Sequence, residues 1–139
     1  MPKTFVESAI DINAPASRVW GMFVDRDFTN ALGGEYVSDW KVGSSLQWRT
    51  SGGRVLTKGI ILKIEPEKIL QHSLFSSPDS SSVLATLTYQ LDEKDGRTEV
   101  RVREDFTNPI TDQEHADSAE GWNAAMTGVK AIAERMQTG

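Results

Sequence analysis

Apolar and polar residues alternate with a period of two along much of the chain, which is the pattern of a half-buried β-strand. In the first such stretch, Val6, Ile10 and Ile12 share one side of the predicted strand. Later stretches are rich in β-branched and aromatic residues, which favour strands. Strands are predicted at Phe5 to Ile12, Leu46 to Thr50, Arg54 to Ile64, Ile69 to Phe75, Val83 to Asp92 and Thr98 to Phe106.

The segments between the later strands are short and carry turn-forming residues. They are Ser51-Gly52-Gly53, Pro66-Glu67, the polar run Ser76 to Ser82, and Glu93 to Gly96. A parallel crossover needs about a dozen residues or more, so these links favour antiparallel neighbours. The middle of the chain is therefore predicted to be an antiparallel meander.

Two short helices are predicted after the first strand. Pro15 suits the first position of a helix, and the pattern indicates a helix from Pro15 to about Val24 that buries Val19, Trp20 and Phe23. A second, shorter helical turn is predicted around Asp27 to Leu32, where Gly33-Gly34 ends it.

The clearest local signal opens the last segment. Thr111 and Glu114 have the spacing of a capping box, in which each side chain satisfies a backbone N–H at the start of a helix. The helix is predicted from about Asp112 to Met136 and would be about 37 Å long. Its predicted buried face consists of Ala119, Trp122, Met126, Val129, Ala133 and Met136.

Glycines interrupt this otherwise helical segment at Gly121 and Gly128. Each costs about 1 kcal/mol of helix stability relative to alanine. Two explanations stay open at this point: the glycines leave space beside the buried face, or the helix tolerates two weak positions.

These elements together predict an α+β domain in which a curved antiparallel sheet wraps around a long C-terminal helix. Four pieces of the sequence, in order, then resemble the START/Bet v 1-like (SRPBCC) superfamily, and within it the family named for the C-terminal domain of the activator of Hsp90 ATPase. The pieces are Ile12-Asn13-Ala14-Pro15 leading to Val19-Trp20, Trp40 to Gly43, Lys58 to Pro66, and Gly121-Trp122.

The resemblance runs from about Phe5 to Met136. It implies a helix-grip fold with a cavity between sheet and C-terminal helix, commonly used to hold apolar small molecules, and it implies no shared catalytic motif. Members of the family often have a tryptophan near Ser73, whereas the strand here reads Ile69-Leu70-Gln71-His72-Ser73-Leu74-Phe75. Smaller polar groups at this place are expected to enlarge the cavity or to make it more polar.

Composition narrows the class of protein. With 139 residues, 38% hydrophobic and 25% charged, the chain has the length of one domain, 1–139, and the composition of a soluble globular protein. It has no cysteine, which excludes disulfides, zinc-thiolate sites and cysteine nucleophiles.

The net charge of −5 gives no general attraction for nucleic acid or anionic lipid. The start, MPKTFVESAIDI, lacks the apolar stretch of a signal or spanning helix, so a cytoplasmic protein is expected.

Glu104 is the most informative single position. It falls on the same face of its predicted strand as Val100, Val102 and Phe106, where an unpaired carboxylate would be costly. One interpretation is a ligand-orienting or general acid/base group inside the cavity. The other is that the strand frays near its end and Glu104 reaches water or an arginine.

The two histidines carry different expectations. His72 lies among apolar neighbours and is either a base or ligand anchor, or a side chain hydrogen-bonded on one side of the sheet. Alternation alone does not say whether His72 or the Gln71/Ser73 pair faces inward. His115, one turn into the last helix, is expected to pack or cap. With two histidines far apart and no HExxH motif, no metal site and no cofactor are predicted.

Aromatic and thioether side chains on the predicted apolar faces complete the candidate site. Trp48, Tyr89, Trp122 and Met126 suit an adaptable apolar pocket, and they would serve equally as ordinary core. The candidate ligand-binding residues are therefore Trp48, His72, Tyr89, Glu104, Trp122 and Met126, with no catalytic residue assigned.

Three functional hypotheses follow. The leading one is a binding protein for a small apolar or amphipathic, lipid-like or polyketide-like molecule. The second is an enzyme of cyclase, hydrolase or dehydratase type acting on such a ligand through Glu104 or His72, with Tyr89 as donor. The third is a protein-interaction role such as Hsp90 co-chaperone activity, for which the chain shows no additional partner-binding segment. Homodimer formation stays undecided, and no partner nucleic acid or membrane insertion is expected.

Overall fold

The structure is a computed structural model that describes residues 3–24, 34–50, 52–75 and 82–136. Seven strands and two helices lie in these segments. They are β1 (Lys3–Ile12), α1 (Ala16–Val24), β2 (Gly34–Ser38), β3 (Ser45–Thr50), β4 (Val55–Glu65), β5 (Ile69–Phe75), β6 (Val83–Lys94), β7 (Arg97–Ile110) and α2 (Asp112–Met136). The helical turn predicted at Asp27 to Leu32 and most of the serine-rich run fall outside the described residues.

All seven strands form one antiparallel sheet in the order β1-β7-β6-β5-β4-β3-β2. Strands β2 to β7 therefore form the predicted meander, and β1 adds to its far side by pairing with β7, where Val6 lies opposite Glu104. The sheet wraps around α2, so the predicted helix-grip α+β architecture is confirmed.

Sequence patterns missed one strand and misplaced one turn. Strand β2 has only five residues and lies at the edge of the sheet, and so short a segment leaves little periodicity to detect. The loop predicted at Glu93 to Gly96 is shorter in the structure, because β6 continues to Lys94. Asp95 and Gly96 both have positive φ, 55° and 79°, as the two central residues of a tight hairpin turn require.

Helix α1 packs with its apolar face on the sheet and buries Val19, Trp20 and Phe23 as predicted. A distant side chain caps its start: the Ala16 N–H donates to a carboxylate oxygen of Glu93 at 2.6 Å. A negative group at this position satisfies a backbone donor that the helix leaves open and complements the helix dipole. The β6–β7 hairpin thus fixes where α1 begins.

Helix α2 begins with the predicted capping box. The Glu114 N–H donates to Thr111 Oγ1 at 3.1 Å, and the Thr111 N–H donates to Glu114 Oε1 at 3.0 Å. Of the predicted inner face, the C-terminal part is fully buried, whereas Ala119 and Trp122 are only half-buried. The buried residues are Met126, Val129 and Ala133, and the side chain of Met136 falls outside the described residues.

Gly121, the first of the two glycines in α2, lies at an exposed position. A Cβ added at Gly121 would meet nothing within 4 Å, so the explanation that this glycine leaves needed space is wrong. In the sheet the opposite holds at Gly59, where a Cβ would overlap the backbone carbonyl of Ser73. Glycine at this position lets β4 and β5 approach closely beside a register shift between Ile61 and Lys63.

In the part of the chain that the structure describes, no helix combines the length and the hydropathy that a membrane crossing requires.

Candidate functional site

A cavity of about 430 Å³ lies between the inner face of the sheet, the end of α1 and the middle of α2. Among the described residues its lining is almost entirely apolar and aromatic, and none of these lining side chains belongs to Lys, Arg, Asp or Glu. The lining residues are Met22, Phe23, Tyr36, Trp48, Leu56, Thr57, His72, Leu74, Leu87, Tyr89, Trp122, Ala125, Met126 and Val129.

The periodicities of strand and helix explain how these residues meet. On α2, Trp122, Ala125, Met126 and Val129 lie three or four residues apart, which places them in one stripe along the helix. On the sheet, His72 and Leu74 occupy alternate positions of β5, and Leu87 lies opposite His72 on β6. One stripe of a helix therefore faces one side of a sheet across the cavity.

Aromatic rings from the sheet and from both helices contact one another around the cavity. Tyr36 contacts Trp48 at 4.9 Å between ring centroids, and Tyr89 contacts Phe23 at 4.8 Å and Trp122 at 5.9 Å. The hydroxyl groups of Tyr36 and Tyr89 are hydrogen-bonded to each other at 3.1 Å. Burial raises the pKa of both tyrosines, so both hydroxyls are neutral at physiological pH.

His72 faces the cavity, which answers the question that alternation left open. Leu70 and Leu74 share its side of β5, whereas Gln71 donates a hydrogen bond to Thr88, which lies opposite it on β6. The imidazole is 2% exposed, with Nδ1 2.8 Å from the carbonyl oxygen of Ser73 and with Nε2 lacking any hydrogen-bond partner in the structure. Because a carbonyl oxygen only accepts, Nδ1 carries the hydrogen and Nε2 is a lone-pair acceptor.

Burial lowers the pKa of His72 and outweighs the opposite effect of its hydrogen bond to Ser73. The imidazole is therefore neutral near neutral pH, and the described residues of the lining have no formal charge. The sequence departure at Ser73 has a different result from the one expected. Ser73 is not among the lining residues, and its hydroxyl instead accepts a hydrogen bond from the Ile60 N–H at 2.9 Å.

Glu104 lies behind the cavity wall and not among the residues that line it. Strand β7 continues past it to Ile110, so the interpretation that the strand frays and Glu104 reaches water or an arginine is wrong. The carboxylate is 8% exposed, and one of its oxygens accepts hydrogen bonds from Ser118 Oγ at 2.8 Å and Trp122 Nε1 at 3.0 Å. Glu104 thus connects β7 to the first half of α2 and fixes the Trp122 ring at the cavity.

The structure brings five of the six candidate residues together around the cavity: Trp48, His72, Tyr89, Trp122 and Met126. Sequence reasoning missed Tyr36, because it lies on the strand that the pattern did not reveal. It also missed Phe23, which was assigned to the core of α1. His115 is half-buried in the first turn of α2 and takes no part in the cavity. Among the described residues, no three His, Asp or Glu side chains come together as a metal site would require.

Comparisons with solved structures place the fold among known proteins. ChR145 from Cytophaga hutchinsonii is 30% identical, with a TM-score of 0.78 over 100% of this chain and 99% of that one. The Aha1 dimer from Colwellia psychrerythraea is 19% identical, with a TM-score of 0.75 over 94% and 96% of the two chains. CalU16 from Micromonospora echinospora is 19% identical, with a TM-score of 0.73 over 96% and 78%. The last two likenesses concern the fold alone.

No curated protein matches the chain. Residues 13–134, however, match the family described as Activator of Hsp90 ATPase homolog 1-like protein, and this range includes the whole of the cavity lining. The chain belongs to the Activator of Hsp90 ATPase homolog 1-like family.

Proposed function

We propose that the protein binds a small apolar or amphipathic molecule in the cavity between the sheet and α2. The volume of about 430 Å³ lies within the range of about 300–1,000 Å³ that is usual for small-molecule sites. An apolar lining with a few polar groups is also the usual composition of such sites. The volume and the lining of the cavity are therefore both those of a small-molecule site.

The observation that carries this proposal is a buried polar atom that has no hydrogen-bond partner and lies beside an apolar cavity. Buried polar atoms are hydrogen-bonded in the great majority of cases, and an exception calls for an explanation. His72 Nε2 is such an exception among the described residues, and its ring borders the cavity. A bound molecule that fills the space and satisfies this atom accounts for both features.

The enzymatic alternative through Glu104 receives no support from the geometry. Its carboxylate is occupied by Ser118 and Trp122, and it is separated from the cavity by the ring that it holds. The co-chaperone alternative rests on the description of the family and on no surface of the described residues. Binding is accordingly the function that the geometry favours.

The test is to screen lipids, polyketides and aromatic compounds by native mass spectrometry, and to map the hits by NMR chemical shifts. Binding compounds are expected to shift resonances of cavity residues such as Leu74, Leu87 and Met126. Ala125→Phe adds a ring at a position that lines the cavity and should weaken binding, whereas Ala124→Phe, at a neighbouring position outside the lining, should retain it. The proposal fails if no compound shifts these resonances, or if Ala125→Phe binds as the unaltered chain does.

A further inference from the structure

The polar atoms at the cavity form an incomplete hydrogen-bond set. His72 Nε2 has a lone pair and no donor, because Nδ1 holds the only ring hydrogen against the Ser73 carbonyl. Tyr36 and Tyr89 share one hydrogen bond, in which one hydroxyl donates and the other accepts. The accepting hydroxyl has a hydrogen of its own, and no acceptor for it lies among the described residues. One acceptor and one donor are therefore unused.

The two unused groups belong to neighbouring rings. The His72 ring lies 6.1 Å from the Tyr36 ring and 6.2 Å from the Tyr89 ring, measured between centroids, and it is nearly parallel to the latter. The unused acceptor and the unused donor therefore belong to adjacent rings of the same wall. A hydroxyl group matches this pair because it donates one hydrogen bond and accepts others.

The lack of charged side chains in the described lining disfavours ionised ligands. The described lining contains no cationic side chain that could neutralise a carboxylate or phosphate, and no anionic side chain that could neutralise an ammonium group. Moving an unpaired charge from water into an apolar site is strongly unfavourable. An uncharged polar group on an apolar framework avoids this cost.

We infer that the ligand is an uncharged apolar molecule with a hydroxyl group, phenolic or alcoholic, that donates a hydrogen bond to His72 Nε2. This inference rests on the proposed function and adds the chemical class of the ligand. His72 Nε2 has almost no accessible surface in the free chain. Binding of the hydroxyl at this atom therefore requires a movement of the side chains that cover Nε2.

The experiment compares three compounds with the same ring system: 2-naphthol, 2-methoxynaphthalene and naphthalene. Methylation of the oxygen removes the donated hydrogen and keeps the acceptor, so the first two compounds differ in the feature under test. Dissociation constants are measured by NMR titration of the full chain. Since one hydrogen bond to an otherwise unsatisfied buried group contributes about tenfold in affinity, 2-naphthol should bind about tenfold more tightly than 2-methoxynaphthalene.

Variants test whether the tighter binding of 2-naphthol depends on His72. His72→Leu removes the acceptor and should make 2-naphthol and 2-methoxynaphthalene bind equally, whereas His72→Gln retains an acceptor and should keep part of the difference. His115→Leu makes the same chemical change outside the cavity and should leave the full difference. The inference is overturned if His72→Leu retains the full preference for 2-naphthol.

A measurement on the unaltered chain covers the case in which His72→Leu does not fold. The ¹⁵N resonance of His72 Nε2 should have the position of an unprotonated ring nitrogen in the free chain and should shift on addition of 2-naphthol but not of 2-methoxynaphthalene. Equal binding of all three compounds refutes the hydroxyl class and leaves the binding function intact. If none of them perturbs the cavity resonances, the inference fails, and failure of the wider library screen as well refutes the proposed function.

Discussion

The two ends of the interior are built differently. At the end covered by the first turns of α1 and the last turns of α2, aliphatic side chains such as Ile12, Val19 and Ala133 are fully buried and fill the space. At the other end, aromatic rings surround a cavity of about 430 Å³. We call these regions the packed end and the cavity end.

The difference lies in what holds the side chains in place. Aliphatic groups have no polar atoms and are free to settle into the closest packing. The rings of the cavity end are instead held at their polar tips, Tyr36 by the hydroxyl of Tyr89, and Trp122 by the carboxylate of Glu104. A ring fixed in this way keeps its position even where closer packing would fill the cavity. Polar contacts made by the wall residues thus maintain the apolar space that these residues surround.

The largest expected effect compares two leucines on the same face of β5. Leu70 is fully buried at the packed end, and Leu74 is half-buried beside the cavity. Leu70→Ala should lower the free energy of unfolding by about 2–5 kcal/mol, because it creates a new void. Leu74→Ala enlarges an existing one and should cost less than half as much. Chemical denaturation measures both, and equal losses would remove the distinction between the two ends.

Glu104 tests whether polar contacts maintain the cavity. Glu104→Ala leaves Ser118 Oγ and Trp122 Nε1 without their acceptor and should cost about 1–3 kcal/mol. Glu104→Gln keeps an acceptor oxygen and should cost less. Hydrogen exchange of the first half of α2 should accelerate in Glu104→Ala while the last turns stay protected. Uniform acceleration along the helix would contradict this role.

The substitution Gly121→Ala should have a smaller effect on stability, and it should raise stability where the previous substitutions lower it. Because a Cβ at this exposed position meets nothing within 4 Å, Gly121→Ala should stabilise the protein by up to about 1 kcal/mol through helix propensity alone. Gly59→Ala is the matched control in the sheet, where the added Cβ overlaps the Ser73 carbonyl and should destabilise the fold. Thermal unfolding distinguishes the two, and a loss of stability in Gly121→Ala would show that the helix needs this glycine.

The smallest expected effect is a pH dependence of the free energy of unfolding that His72 causes at mildly acidic pH. Burial lowers its pKa below the ordinary value of 6.5, so the unfolded chain takes up this proton at a higher pH than the folded chain. Stability should therefore be independent of this group above pH 6.5 and should fall as the pH decreases below that value. His72→Leu removes the contribution, so the stability difference between variant and unaltered chain should shift in favour of the variant on acidification. If the stability of the variant and that of the unaltered chain change in parallel with pH, a group other than His72 causes the pH dependence.

The fold was predictable because it depends on local signals that repeat. Six of the seven strands, helix α1 and the whole of α2 follow from periodicity, Pro15 and the capping box at Thr111. Strand β2 was missed because five residues at a sheet edge have too little pattern, and Tyr36 was missed with it. The turn at Asp95-Gly96 was predicted two residues too long, since its polar neighbours remain paired in the hairpin.

The candidate site was predictable only as a set of residue types on apolar faces. The alternation on β7 correctly placed Glu104 on the inner side, but its partners, Ser118 and Trp122, are 14 and 18 residues away in sequence. No local pattern encodes such a pairing. The same holds for His72, whose inward orientation depends on the register of β5 against β6 and on the close approach that Gly59 permits.

The sequence by itself determined the elements and their order, because hydrophobic periodicity and capping act within a few residues of the chain. It also determined the absence of cysteine chemistry, since the chain has no cysteine. Only the tertiary structure decided which polar groups are satisfied. It pairs Glu104 with Trp122 and Tyr36 with Tyr89, and it leaves His72 Nε2 without a partner at the cavity. Hydrogen-bond satisfaction is a property of atoms that meet in space, and these atoms come from strands and a helix far apart in the chain.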